Sequence, residues 1–139
     1  MATQEAQARE LTRVLMLEAN KKTVLDFYEK ALNHRDLDAA ARHLGPRYIQ
    51  HNPVIEDGAD GFLRFVQQLK ERFPHVRGEI KRIFADSDYV ILHVHAKREP
   101  GELGTAIVDI FRLEAGKIVE HWDVRQPIPE SAVNSNGML

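Results

Sequence analysis

Apolar residues recur at three- and four-residue steps from Gln4 to Asn33, with Leu11, Val14 and Leu15 early and Val24, Phe27, Tyr28, Ala31 and Leu32 late. That spacing puts one apolar stripe along an amphipathic helix. Asn20 is placed to divide the run, so residues 1–19 read as an N-terminal helical extension and the stretch after them as the first core helix. Asp36 is a candidate N-cap for a shorter helix reaching Leu44, where Gly45 and Pro46 would end it. The segment RYIQHN, Arg47 to Asn52, is strand-like and closed by Pro53. A polar, glycine-containing loop is expected from Val54 to Gly61. A third helix then carries Phe62, Phe65, Val66 and Leu69 on one stripe and stops before Pro74.

Beyond Pro74 the period drops from about 3.6 to 2. Strands are predicted over 77–85, 89–98, 105–113 and 117–124, separated by the turn-rich DSD, EPGELG and EAG. Four consecutive strands with short turns make an antiparallel meander. Helices and one short strand followed by a run of strands define an α+β chain with helices packed on one sheet face. From Gln126 onward two prolines and little periodicity predict a C-terminal tail, 126–139. The 139 residues are expected to form one domain.

Composition narrows the partners. Hydrophobic residues at 43% and charged residues at 29% are an ordinary globular balance, so most of the chain has enough apolar side chain to order itself. The net charge of −2 and the absence of a Lys/Arg block argue against a nucleic-acid or anionic-membrane partner, leaving a small molecule or another protein. There is no cysteine, which removes disulfides, thiolate nucleophiles and zinc–thiolate sites. No signal-like or membrane-spanning apolar run is visible, and a cytoplasmic location is expected.

Candidate chemistry starts at Asp109, in the middle of TAIVDIFRL. Aspartate is a poor strand former, and among β-branched and aromatic neighbours a bare carboxylate is costly, so a partner or the acid form is expected. The alternative is a solvated or ion-paired strand aspartate. Hairpin geometry supplies the partner. A two-residue Ala115-Gly116 loop would force Ala115 to positive φ, whereas a type I turn with Gly116 in a G1 bulge is unstrained. The bulged turn sets Leu113 opposite Lys117, Phe111 opposite Val119, Asp109 opposite His121 and Ile107 opposite Asp123. Val108, Ile110 and Trp122 fall on the other face. Directly opposed Cβ atoms stand roughly 5 Å apart, so Asp109 and His121 are predicted to touch and to titrate as a couple.

Four more residues are candidates for substrate binding. His93 and His95, two apart in YVILHVHAK, share one strand face and are expected to line a polar pocket. With His51 and His121 they form a set of imidazoles of the kind that ligates metals, but hydrogen-bonded histidines are the preferred reading and no metal is expected. His51, aimed by the following Asn52-Pro53, is expected at the cavity mouth. Asp123 shares the predicted pocket face and is a second carboxylate.

The segments RYIQHNP and VDIFRLEAGKIVEHWDV, with the closing QPIPE and NGML, resemble the SnoaL-like polyketide cyclases of the nuclear-transport-factor-2-like superfamily. The resemblance runs from about Asn20 to the C-terminus. It implies a cone of strongly curved mixed sheet, helices packed on the concave side, and a homodimer formed through the sheet. It also implies that Asp109 matches the aspartate proposed as acid/base in intramolecular aldol cyclases, and that Asp123 matches a strand-end aspartate of related epoxide hydrolases. Those hydrolases carry an Arg and an Asp two apart on the preceding strand, where this chain has His93 and His95, so epoxide opening is not expected. Ketosteroid isomerase is similar in fold and shows an aspartate base in such a cone removing a proton next to a carbonyl. The leading expectation is therefore acid/base chemistry, of aldol-cyclase or isomerase type, on a small organic molecule without a cofactor. A non-catalytic binding or assembly module and a histidine-based metal-dependent hydrolase are the alternatives.

Overall fold

The computed structural model describes all 139 residues. Helix α1 runs unbroken from Gln4 to Tyr28 and continues as a single π-helical stretch, Glu29–Asn33. Asn20 does not divide it. One asparagine inside a long helix costs only a fraction of a kcal/mol, and Ala19, Lys21 and Lys22 around it are good helix formers. Residues up to Met16 are exposed, and burial is complete only at Val24 and Phe27, where the helix meets the sheet.

Helix α2, Leu37–Ala41, starts at Asp36, whose carboxylate accepts the Ala39 N–H at 3.0 Å. It ends earlier than expected. Leu44, Gly45 and Pro46 belong instead to strand β1, Leu44–Gln50. A proline is tolerated there because β1 is an edge strand. Gly45 is required by packing, since a Cβ would stand 2.8 Å from Val119 Cγ1.

Helix α3, Gly58–Arg72, also begins earlier than expected, inside the supposed loop 54–61. Asp57 precedes it, and its side chain accepts the Gln50 N–H at 2.9 Å, tying the helix start to the end of β1. The Gln50 N–H, with the Gly58 N–H beside it, holds the Asp57 carboxyl below the ordinary aspartate range.

Strands β2 (Arg77–Asp86), β3 (Tyr89–Lys97), β4 (Thr105–Glu114) and β5 (Lys117–Pro127) form the predicted antiparallel meander. β1 adds to β5 in parallel, giving a mixed sheet of order β1-β5-β4-β3-β2. Helices α1 and α3 cover one face. The core lies between them, with Val24 and Phe27 of α1 packed against Val90, Leu92, Val94, Ile107, Phe111 and Leu113. The chain after Pro127 has no regular structure and is mostly exposed.

The β4–β5 hairpin corrects the predicted register. Glu114 pairs with Lys117 around a two-residue loop in which Ala115 (φ 48°) and Gly116 (φ 76°) are both left-handed. This is the tight-hairpin geometry whose twist matches the flanking strands, and it prevails despite the strain at Ala115. Left uncorrected, the loop would set Asp109 opposite Trp122 and turn His121 away from it. A bulge repairs the parity: between Leu113↔Ile118 and Arg112↔Glu120 the chain accommodates Val119 as an extra residue. Asp109 therefore pairs with Asp123, and Phe111 with His121.

Candidate active site

Asp109, His121 and Asp123 all point to the helix-covered face, where Asp109 and His121 are almost fully buried. Asp109 and His121 are diagonal neighbours in the sheet, not directly opposed, yet the imidazole reaches back so that Nε2 lies 2.8 Å from Asp109 Oδ1. On its other side, His121 Nδ1 lies 2.8 Å from Gln50 Oε1.

The proton inventory of this couple follows from its neighbours. The backbone N–H of Asn52 points at Gln50 Oε1 from 3.0 Å, and an N–H can only donate, so the amide atom facing it is the oxygen. The same oxygen faces His121, and Nδ1 must therefore carry hydrogen. The short Nε2–Oδ1 contact then needs one further proton, giving either a carboxylic acid beside a neutral imidazole or a carboxylate beside an imidazolium. Gln50 Nε2 completes its own bonding by donating to Tyr48 Oη at 3.1 Å.

Asp123 is held by the Asn52 side-chain amide, whose Nδ2 is 2.9 and 2.8 Å from its two carboxylate oxygens. Asn52 is itself buried. Ligand atoms of Asp109, His121 and Asp123 lie within 4.8 Å of one another, and these three are the residues that could hold a metal ion. Both imidazole nitrogens and the Asp123 oxygens are already engaged in hydrogen bonds within the chain, so the donor set fits a proton-handling site better than a metal centre.

These groups line a cavity of about 340 Å³ between the sheet and helices α1 and α3. Its walls include Phe27, Phe62, Phe65, Leu69, Ile107 and Phe111, an apolar lining with a few polar groups converging at one place. Tyr28 also lines it, with its hydroxyl packed against Gly78, where a Cβ would come within 2.3 Å of the oxygen. Burial, reinforced by the negative charge of Asp109, pushes its ionisation well above the ordinary tyrosine value. Tyr28 is therefore a neutral O–H donor.

Three predicted substrate-binding residues lie elsewhere. His93 and His95 alternate with Leu92 and Val94, which are fully buried, so the imidazoles project from the outer face of the sheet. There His93 Nδ1 contacts the Arg82 guanidinium and His95 Nε2 meets Leu103 O at 2.7 Å. His51 follows Gln50 and points the opposite way. Its Nε2 is 2.7 Å from Glu120 Oε2, and its ring stacks on Trp122 at 4.7 Å between centroids with 3° between planes. The hydrogen bond from His51, with Arg112 on the other oxygen, holds the Glu120 carboxyl below its ordinary range.

Gln50, Asn52 and Tyr28 were not singled out from sequence. Gln50 and Asn52 stood in the strand-like RYIQHN, and the alternation of a strand that sends His51 outward would have sent both of them inward. Tyr28 looked like one more apolar position on α1.

A mixed sheet covered on one face by helices is the nuclear-transport-factor-2-like fold. Within it, the chain belongs to the SnoaL-like family, whose domain model matches residues 24–121. Among solved structures it is similar to AclR of Streptomyces galilaeus, a proposed hydroxylase, at 23% identity over 79% of this chain and 90% of that one, with a TM-score of 0.65. It is likewise similar to a proposed polyketide cyclase from Bacillus cereus, at 16% identity over 77% and 74% of the two chains and a TM-score of 0.67. IdmH of Streptomyces antibioticus, another proposed polyketide cyclase, gives 20%, 76%, 91% and 0.64. No curated protein matches the sequence. At these identities the likeness fixes the fold, and the chemistry has to be argued from the site.

Proposed function

We propose that the protein is an acid/base enzyme that removes a proton next to a carbonyl of a small organic substrate, with Asp109 as the base. The observation that carries this reading is the buried Asp109–His121 contact, whose hydrogen-bond surroundings leave one proton shared between the two side chains. In the carboxylate–imidazolium arrangement, Oδ1 is engaged by His121 while Oδ2 is free to accept the substrate proton. The C–H electron pair moves onto the carbonyl oxygen as the enolate forms. Asp109 becomes a carboxylic acid, and the imidazolium remains beside the new negative charge. The Tyr28 hydroxyl is a donor for the oxyanion, a role the outward-facing His51, His93 and His95 do not fill. Return of the proton at another carbon gives an isomerase. Attack of the enolate carbon on a second carbonyl gives an aldol-type cyclase, the reaction suggested by the proposed cyclases among the similar structures.

The test uses 2-tetralone, a benzo-fused cyclic ketone with acidic benzylic α-hydrogens, in deuterated buffer. NMR should show protein-dependent deuterium uptake at the α-carbon, slowed by about 10²–10⁴ in Asp109→Asn with the thermal transition retained. Uptake at the wild-type rate in that variant removes Asp109 as the base. Saturable ketone binding with no exchange would favour the binding-module alternative.

A further inference from the structure

The cavity is not uniform along its length. Its acid/imidazole end is buried, while Arg72, Arg98 and Arg125 line it elsewhere. Arg72 comes from the last turn of α3, Arg98 from just beyond β3, and Arg125 from β5. Arg125 pairs with the inward-facing Ile107, so it lies on the face of His121 and Asp123, two residues further along. Arg72 and Arg98 both pack on Phe73, with Cζ atoms 5.2 and 4.8 Å from the ring centroid. Stacking of this kind orients a guanidinium without consuming its N–H donors.

None of the three guanidiniums has a carboxylate within 4.0 Å. The acids of the cavity are already engaged. Glu102 accepts the backbone N–H of Arg98, Asp123 takes both contacts from Asn52, and Asp109 takes His121. A cavity whose acids have partners and whose arginines have none is complementary to an anion.

We infer that the ligand of this cavity is an apolar molecule ending in a carboxylate, held by Arg72, Arg98 and Arg125, with its apolar body among the phenylalanines. Placement of its carbonyl-bearing end at Asp109 rests on the acid/base reading, whereas the carboxylate anchor does not. Planar guanidiniums match a carboxylate in two-point contacts, and the apolar walls between the two ends set the body's character.

The experiment compares 2-naphthylacetate with its neutral amide, 2-naphthylacetamide, by calorimetric titration of the full-length protein. The acid should bind at least tenfold more tightly than the amide at low salt, and the difference should shrink as salt is raised. In the double variant Arg72→Gln/Arg125→Gln the preference should fall below threefold, with amide affinity unchanged and the circular dichroism spectrum retained. Asp109→Asn should keep the preference. Equal affinity for acid and amide, no detectable binding of either at millimolar concentration, or a preference that survives the double variant overturns the inference. A carboxylate preference in a wild-type protein that fails to exchange 2-tetralone hydrogens leaves the anchor standing and sinks only the acid/base reading.

Discussion

Gln50 is the residue on which the proton position at the site depends. Its side-chain oxygen is fixed by the Asn52 N–H and in turn fixes the hydrogen on His121 Nδ1, so it acts through His121 and not on a substrate. Gln50→Leu should leave the fold intact but release the ring, lowering the exchange rate and moving the pH profile, since the tautomer would no longer be dictated. An unchanged profile would show that Gln50 is merely structural. Lys70 presents a different case. Its ammonium is buried with no hydrogen-bond partner, and burial, with Arg35 nearby, pushes it down to about 8. A lysine depressed in the folded state costs stability fully below about pH 8, and the cost fades as pH rises toward the ordinary lysine value. Lys70→Met should therefore raise stability at pH 7 by on the order of 1 kcal/mol, as read by denaturant unfolding, and the gain should shrink toward pH 10.

At the scale of elements, the β4–β5 hairpin decides whether a site exists at all. Ala115 sits at φ 48°, which suits glycine or asparagine better than alanine. Ala115→Gly should stabilise the protein by roughly 0.5–1 kcal/mol without altering exchange, because the loop already has this shape. A loss of stability would contradict the turn assignment. The same hairpin shows what the sequence made legible. All four meander strands could be read from alternation, and so could the common face of Asp109 and His121. The register was wrong by two residues, and the face came out right because two registers that differ by an even number share their parity. Nothing local in the sequence announces a bulge at Val119: it serves twist and packing against Gly45, which is a tertiary matter. The outward direction of His93 and His95 is legible in the sequence, since they alternate with Leu92 and Val94, which belong to the core.

On the scale of the whole molecule, the outer sheet face is an unpartnered surface, as is the exposed stretch of α1 with Leu11, Leu15 and Met16. Val108, Val124 and Tyr89 are exposed on the sheet face beside Trp122, and α1 and α3 lie on the opposite side. We propose that a second copy covers this sheet face, as the family resemblance implies. Sedimentation at micromolar concentration should then give a dimer, and Val124→Glu a monomer; a wild-type monomer would contradict it. No helix of the chain is long and apolar enough to cross a membrane. The chemistry of the site turns on where one proton sits, and nitrogen-15 NMR of the His121 ring reports it directly. The prediction is hydrogen on Nδ1 throughout the neutral range, with an Nε2 signal that changes strongly in Asp109→Asn. A ring lacking hydrogen on Nδ1, or one indifferent to Asp109, would contradict it.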